Sequence, residues 1–359
     1  MLQALAPTRR PGPLFPRLLG DVGGTHARFA WQSHEGSAIE QVEVLPCAQY
    51  PSLADAVQAY LQLSLQGRPA CAAIGIATPV LGDWLAMTNH RWAFSARALR
   101  SELGLERLLV LNDFTALALA LPQLDERAKR QIGGGSPVLG APIALLGPGT
   151  GLGVSGLVQD AAAGLFLPIA GEGGHVTLAA SNALEFAVIE MLQARYGHVS
   201  AERVLSGAGL VHLYGALAQL RGLAIEPLTP AQIMQRAMEP DVSVGGADTQ
   251  AQPRVDPMAL EALDLFCGFL GQVAGDLALT LGARGGVYIG GGIVPRMGRR
   301  FEQSPFRARF EAKGRYRAYL QPIPVWLIDS PMPAALLGAA QALSLPESML
   351  TTVSPWGTS

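Results

Sequence analysis

Two apolar runs in this 359-residue chain each end in a turn rich in glycine and threonine. Leu18-Leu19-Gly20 leads into Asp21 to Thr25, and the pattern predicts a strand, a tight turn and a returning strand from Ala27 to Trp31. The segment from Ile143 to Val154 repeats this arrangement. We interpret the pair as a trace of internal duplication in which each half starts with a hairpin, although such patterns also recur by chance.

The remaining apolar periodicity predicts alternating strands and helices after the first hairpin and mainly helices after the second. Helices are predicted at Leu53–Leu65, from the cap Ser95 to Leu103, and at Thr115–Ala120, Leu184–Tyr196, Gly209–Leu220, Met258–Leu281 and Ala334–Leu343. Further strands are predicted at Ala72–Ala77, Leu108–Leu111, Gly286–Ile289 and Val325–Ile328. The polar stretch Glu239–Pro257 is predicted to be a surface loop.

Length and composition narrow the class of protein. One hydrophobic core rarely serves more than about 250–300 residues, so two domains are expected. The net charge of −2 provides neither a basic face for nucleic acid nor a polybasic membrane anchor. The only lysines are Lys129 and Lys313, and neither lies in the Gly-Lys-Ser/Thr context of a Walker-type nucleotide loop.

The cysteines and the start of the chain indicate a cytoplasmic protein. Cys47, Cys71 and Cys267 are far apart and apolar in context, which is typical of small buried residues in a reducing compartment. No uninterrupted apolar run approaches the ~20 residues of a transmembrane helix. Residues 1–17 lack a long apolar segment, so we expect a disordered extension and no secretory signal.

Both glycine-rich turns have the chemistry of a phosphate site. Glycine lets phosphate oxygens approach backbone N–H groups closely, and a threonine hydroxyl adds a donor. Asp21 can hold Mg²⁺ directly or through water, because hard cations prefer carboxylate oxygen. Ordinary hairpin turns, with Asp21 as a turn former, remain the alternative. The residues concerned are Asp21, Gly23, Gly24 and Thr25 in the first turn, and Gly149, Thr150 and Gly151 in the second.

Asp113 follows Asn112 at the end of a predicted buried strand. A carboxylate held there by packing can accept a proton from a substrate hydroxyl. On residue chemistry alone, however, capping of the following helix is the commoner role for aspartate at such a place. Both interpretations stay open at this point.

A third group of polar residues combines carboxylates with an imidazole. Glu172 and His175 lie in the glycine-flanked segment Gly171 to His175, and Glu202 follows later. Such side chains suit hydrogen bonding to the hydroxyls of a polyol. His175 could instead be a metal ligand or a core histidine, and Glu202 an exposed helix charge. No HExxH motif accompanies His175, which weakens the metal interpretation.

Taken together and in order, these motifs resemble bacterial glucokinase, over about Leu18 to Leu343. The residues that carry the resemblance are Gly20 to Thr25, Thr88-Asn89-His90, Trp92 to Ser95, Asn112 to Ala116, Gly149 to Gly153, Gly171 to His175, Glu202 to Gly207, Gly290 to Arg296 and Lys313 to Tyr316.

The resemblance implies an α/β protein with the duplicated actin-like, ribonuclease-H-like fold and a cleft between two domains. It implies a small domain of residues 18–123 plus 334–359 and a large domain of residues 124–333. The implied reaction is phosphoryl transfer from ATP, with Mg²⁺, to the 6-hydroxyl of glucose, and the implied assembly is a homodimer. By the same resemblance, Asp113 would be the general base. The sugar would be contacted by Asn112, Glu172, His175 and Glu202. The two turns would hold the phosphates, and the adenosine would lie against Gly290, Gly291 and Gly292.

Two departures and three alternatives accompany the resemblance. His26 stands where the family usually has asparagine, and the zinc cluster of the repressor-like sugar kinases is missing from the sequence. The alternatives are a kinase for another hexose such as mannose, fructose or an amino sugar, a non-catalytic sugar-sensing regulator, and an actin-like ATPase. An intact Asp113 favours catalysis over sensing, and the set of Glu172, His175 and Glu202 favours a sugar substrate over a plain ATPase.

Overall fold

The computed structural model describes residues 14–64, 67–162, 164–224, 226–238, 255–330, 333–346 and 349. The chain divides into two compact units. Unit 1 consists of residues 1–123 and 332–359, and unit 2 consists of residues 124–331. The C-terminal segment therefore belongs with the N-terminal half of the chain.

The described residues form thirteen strands and twelve α-helices. The strands are β1 Arg17–Val22, β2 His26–Gln32, β3 Glu40–Pro46, β4 Cys71–Ile76, β5 Trp84–Ala86, β6 Ala93–Ser95, β7 Arg107–Asn112, β8 Lys129–Ile132, β9 Ile143–Pro148, β10 Leu152–Asp160, β11 Leu165–Ala170, β12 Gly286–Ile289 and β13 Val325–Ile328. The helices are α1 Leu53–Leu63, α2 Ala96–Leu103, α3 Asp113–Ala120, α4 Ala183–Tyr196, α5 Ala201–Val204, α6 Gly207–Leu220, α7 Pro230–Ala237, α8 Pro257–Leu281, α9 Arg299–Gln303, α10 Phe306–Glu311, α11 Arg317–Leu320 and α12 Ala334–Ser344.

The main sheets of the two units have the same topology. In unit 1 the order is β3-β2-β1-β4-β7, with β1, β2 and β3 antiparallel and β4 and β7 parallel to β1. In unit 2 the order is β11-β10-β9-β12-β13, with the same directions, and β8 is added antiparallel to β13. Chance recurrence of a hairpin does not produce a matching five-stranded order, so the structure favours duplication.

Each unit has its own hydrophobic core. In unit 1 the buried strands β1, β4 and β7 pack against α1 and α2, and α3 packs closely with α12. In unit 2 the core surrounds α8, which has 25 residues and a mean hydropathy of 1.4. By length and composition this helix could cross a membrane, but 67% of its apolar window is buried inside the protein. It therefore serves as the core helix of unit 2.

The elements start and end close to the predicted positions. Ser95 caps α2 by accepting a hydrogen bond from the Ala98 N–H, as predicted. The first strand begins at Arg17, whose side chain is buried and donates to the Ala340 carbonyl and the Ser344 hydroxyl. Residues 1–13 of the expected extension lie outside the described residues, as do residues 239–254 of the expected surface loop.

The three cysteines are buried and carry free thiols, as predicted. Burial raises the pKa of Cys71 to about 11 and that of Cys267 to about 12, so both thiols stay protonated at neutral pH. They contribute to packing, and the chemistry of the protein lies elsewhere.

Candidate active site

The first glycine-rich turn joins β1 to β2 in unit 1. Within it the Gly23 N–H donates to the His26 carbonyl at 3.0 Å, and Thr25 and His26 are exposed. A Cβ atom on Gly24 would lie 2.9 Å from the Asn89 carbonyl oxygen, so only glycine permits this close approach. The segment Thr88-Asn89-His90, one of the sequence motifs, therefore packs directly against the turn.

Asp21 lies opposite Arg28 in the antiparallel ladder of β1 and β2. The Arg28 Nη1 donates to the Asp21 Oδ2 at 3.1 Å. Burial raises the pKa of the Asp21 carboxyl, and the Arg28 guanidinium opposes that rise. The carboxylate is thus part of a strand with an ion-pair partner, and not only a turn former.

Asp113 begins α3 directly after β7, and Asn112 is the capping residue. The Asn112 Oδ1 accepts hydrogen bonds from the Phe114 N–H at 2.9 Å and the Thr115 N–H at 3.2 Å. The interpretation of Asp113 as the helix cap is therefore wrong, because the preceding residue has that role. The Asp113 Oδ1 accepts a hydrogen bond from the neighbouring Phe114 N–H at 2.9 Å.

Sequence reasoning missed two threonines that support Asn112. The Thr78 hydroxyl donates to the Ala86 carbonyl at 3.0 Å and lies 3.3 Å from the Thr88 hydroxyl. The Asn112 Nδ2 lies 3.5 Å from the Thr78 carbonyl. Because β1, β4 and β7 are parallel, their carboxyl ends bring Gly23, Thr78 and Asp113 to the same edge of the sheet. The position of Thr78 just after a predicted buried strand was the signal that could have found it.

The second glycine-rich turn joins β9 to β10 in unit 2. The Gly149 N–H donates to the Gly151 carbonyl at 2.8 Å, and the Gly207 N–H donates to the Gly149 carbonyl at 2.9 Å. Gly207 is the first residue of α6, a helix of 14 residues capped by Ser206. The positive end of this helix dipole is therefore attached to the turn, which favours binding of an anion there.

Glu202 lies on the short helix α5 and contacts the same turn. Its Oε2 accepts a hydrogen bond from the Leu152 N–H at 2.8 Å. A Cβ atom on Gly151 would overlap this carboxylate oxygen, so a larger residue there would displace the Glu202 side chain from the Leu152 N–H. The alternative of an exposed helix charge is wrong, because Glu202 is only partly exposed and holds the hairpin backbone.

Glu172 and His175 flank a single turn of 3₁₀-helix, Gly173–His175. The Glu172 Oε2 and His175 Nε2 are 4.0 Å apart, and both side chains are more than half exposed. Gly174 packs against the carbonyl of Leu152, and the Ala201 N–H donates to the Val176 carbonyl at 2.9 Å. Unit 2 thus gathers three of the four predicted sugar contacts, Glu172, His175 and Glu202, around the start of β10.

The triple glycine lies beside the second turn. The Gly290 N–H donates to the Leu146 carbonyl at 2.8 Å, and the Ile293 N–H donates to the Pro148 carbonyl at 3.3 Å. Gly290 to Gly292 therefore follow β12 directly alongside the last residues of β9. In the described part of the chain, no three His, Cys, Asp or Glu side chains cluster as metal ligands.

A sequence model of the family described as glucokinase matches residues 18–345. The chain belongs to the glucokinase family. A glucokinase from Aromatoleum aromaticum is 55% identical over 331 residues, which cover 92% of this chain and 95% of that protein.

Solved structures of glucokinases share the fold. A glucokinase from an Antarctic psychrotroph has a TM-score of 0.79 at 36% identity, covering 92% of this chain and 98% of that one. A ROK family glucokinase from Streptomyces griseus, solved with glucose and AMPPNP, has a TM-score of 0.59 at 20% identity, covering 91% and 98%. The expected actin-like fold is confirmed by these neighbours and by the two matching mixed sheets.

Proposed function

We propose that this glucokinase-family enzyme transfers the γ-phosphoryl group of ATP to the 6-hydroxyl of glucose. The observation that carries the proposal is that one residue, Leu152, contacts both the glycine-rich turn and the residues proposed to bind the sugar. Its N–H is bound by Glu202, its carbonyl packs against the turn between Glu172 and His175, and it directly follows the Gly149–Gly151 turn. The turn proposed to bind phosphate and the side chains proposed to bind a polyol are thus joined through one residue of unit 2, which supports the proposal.

In unit 2 the proposed sugar contacts are Glu172, His175 and Glu202, which offer carboxylate acceptors and an imidazole. In unit 1 the proposed contact is the Asn112 amide, which can both donate and accept. A site built to hydrogen-bond several hydroxyls rejects ligands that leave those groups unpaired, so a sugar is favoured over water as the phosphoryl acceptor. The glucose in the Streptomyces griseus structure is consistent with this substrate.

Asp113 would act as the general base. Its carboxylate takes the proton of the 6-hydroxyl while that oxygen forms a bond to the γ-phosphorus, and the bond from the γ-phosphorus to the oxygen bridging to ADP breaks. Because the Asn112 cap fixes the first turn of α3, the carboxylate has a defined place at the carboxyl end of β7. Positioning of this kind supplies a large part of catalysis in phosphoryl transfer.

The two glycine-rich turns would hold the phosphates, and Gly290 to Gly292 would lie against the adenosine. The N-terminal end of α6 adds a favourable field for the negative charge at Gly149 to Gly151. The AMPPNP in the Streptomyces griseus structure is consistent with a nucleotide substrate.

The residues fit Mg²⁺ as an ion shared with the nucleotide. Asp21 supplies one carboxylate, whose Oδ2 is engaged with Arg28, and Mg²⁺ in kinases takes one or two carboxylates together with phosphate oxygens and water. When bound, the ion would neutralise charge on the phosphates.

One coupled assay of ADP release tests the proposal. The wild-type enzyme is given ATP and Mg²⁺ with glucose, mannose, fructose, glucosamine or no sugar. We expect the highest kcat/KM with glucose and a negligible rate without sugar. A higher kcat/KM with another hexose would show that this hexose, and not glucose, is the preferred substrate. ADP release at the same rate without sugar would support the ATPase alternative.

Two further properties follow from the family resemblance and belong to the proposal. We infer a homodimer located in the cytoplasm. The three buried free thiols are in keeping with a reducing compartment. Light scattering of the purified chain at micromolar concentration tests the dimer. A monomeric mass at all concentrations would contradict it.

A further inference from the structure

The short helix α5 carries Glu202, and the next helix, α6, contacts the carbonyl groups of α5. α5 has four residues, too few to be stable by itself, so its orientation depends on its neighbours. A Cβ atom on Gly209 of α6 would overlap the Val204 carbonyl oxygen, which shows how closely α6 approaches the end of α5. Three residues further along α6, on the same side of the helix, lies His212.

His212 bonds to α5 and to α4 at the same time. Its Nδ1 lies 2.9 Å from the Arg203 carbonyl oxygen, and its Nε2 lies 2.9 Å from the Tyr196 hydroxyl oxygen. A carbonyl only accepts, so the Nδ1 carries the proton and donates. The Nε2 of the neutral ring then accepts from the Tyr196 hydroxyl. The neutral imidazole thus satisfies both partners in one tautomer.

The side chain of Arg203 packs against Tyr196, the residue that also bonds to His212. Its guanidinium carbon lies 4.2 Å from the centre of the Tyr196 ring, a cation–π distance. Tyr196 and His212 therefore fix the residue next to Glu202 at its backbone carbonyl and at its side chain. On the other side of the same short helix, Glu202 binds the Leu152 N–H.

We propose that His212 is a positioning residue, which acts through the Arg203 carbonyl to hold Glu202 in its sugar-binding orientation. The proposal rests on the function inferred above, in which Glu202 contacts glucose. His212 has no part in the chemistry itself. Its loss should weaken glucose binding more than it slows phosphoryl transfer at saturating sugar.

The test compares His212→Ala with His212→Asn in the full-length chain. Asparagine places an N–H at the position of the imidazole Nδ1 and so can restore the bond to Arg203, whereas alanine cannot. Gln219→Ala, an exposed change two turns later on α6, is the matched control. KM for glucose, kcat, KM for ATP and the melting temperature are measured for each variant.

We expect His212→Ala to raise KM for glucose about tenfold, since a charge-assisted hydrogen bond to the sugar is weakened. We expect kcat to fall less than about threefold and His212→Asn to recover most of the loss. An unchanged KM for glucose in His212→Ala would overturn the inference, whether or not the melting temperature falls. Equal defects in the alanine and asparagine variants would overturn it as well.

These outcomes are separable from the proposed function. If the wild-type enzyme does not phosphorylate glucose, the function fails before any variant is compared. If it does, and His212→Ala matches Gln219→Ala in every kinetic constant, only the positioning role fails.

Discussion

Asn112 caps α3 and thereby makes Asp113 the first residue of that helix. The cap uses the Asn112 Oδ1, which accepts from the N–H groups of Phe114 and Thr115. Two neighbouring polar residues thus divide the tasks between them, one holding the helix end and the other presenting a carboxylate. The division makes their contributions separable by substitution.

We expect Asp113→Asn to lower kcat about a thousandfold, because the amide cannot accept the proton of the sugar hydroxyl. Glucose binding should change less than about threefold, and the melting temperature should stay the same, since the cap on Asn112 is untouched. Calorimetric glucose titration and steady-state kinetics measure both effects. Near-normal turnover in this variant would remove Asp113 from the role of base.

Substitutions of Asn112 separate capping from sugar binding. Serine retains a capping oxygen and alanine does not, so Asn112→Ala should lose about 1 kcal/mol of stability that Asn112→Ser retains. Both variants lose the amide that would contact glucose, and both should raise KM for glucose. Chemical denaturation and kinetics test the two effects independently. A normal KM for glucose in both variants would leave Asn112 with the cap alone.

Glu202 is a proposed sugar contact and also binds the backbone at the second glycine-rich turn. Glutamine retains an oxygen that can accept from the Leu152 N–H, whereas alanine leaves that N–H without the bond it now makes. We expect Glu202→Gln to raise KM for glucose about tenfold with KM for ATP nearly unchanged. Glu202→Ala should raise KM for both substrates. The same KM for ATP in both variants would show that the turn does not depend on Glu202.

The sequence predicted most of the long helices and the buried strands, but it missed the amphipathic helix α7 and the strands β3, β5, β6, β8 and β11. β13, α2 and α8 are found within a residue of their predicted bounds. The short elements α5, α9, α10 and α11 were not predicted, because four to six residues contain less than two helical turns and show no clear period. Packing places them instead, since α5 contacts α6 and α8, α10 and α11 contact α8, and α9 contacts α10.

Sequence motifs identified the candidate residues, but the sequence could not predict which other residues they contact. Nothing in the local sequence pairs Glu202 with Leu152 or Thr78 with Thr88, because those bonds depend on how distant strands and helices pack. The assignment of the cap to Asp113 failed for a local reason. Asparagine and aspartate cap equally well, so the choice depends on which residue ends the strand, and β7 continues to Asn112.

We expect Asp21→Asn to abolish most activity without destabilising the fold. Burial raises the pKa of this carboxyl, because the charged form is less stable in the folded protein than in water. The Arg28 guanidinium offsets this cost only in part. The neutral amide removes that disadvantage, while the loss of the carboxylate weakens the proposed Mg²⁺ site. Kinetics across a range of Mg²⁺ concentrations and a melting curve measure both effects.

Glu43→Gln, an exposed change on β3 of the same sheet, is the control for Asp21→Asn. We expect it to match the wild type in kcat and in Mg²⁺ dependence. A normal Mg²⁺ dependence in Asp21→Asn itself would exclude Asp21 from the ion site.

The last prediction concerns the pH dependence of stability. Burial lowers the pKa of His212, the bond to the Arg203 carbonyl opposes the shift, and the charges of Arg195 and Arg203 add to it. Tyr214 and Glu226, which is paired with Arg236, line the same surface pocket as His212, and the Tyr196 hydroxyl bonds to the ring. Because the unfolded chain takes up this proton at a higher pH than the folded protein, stability falls as the pH drops from about 6.5 through the folded-state pKa.

The asparagine side chain of His212→Asn takes up no proton between pH 8 and pH 5. The variant should therefore lack the loss of stability that protonation of His212 causes. The melting temperature of the wild type minus that of the variant should therefore shrink as the pH falls from 8 to 5, by calorimetry at about unit intervals. Gln219→Ala, an exposed change on the same helix that alters no titratable group, should show a constant difference. A constant difference for His212→Asn would mean that the imidazole is not held neutral by its partners, and the tautomer assigned from the Arg203 and Tyr196 bonds would have to be abandoned.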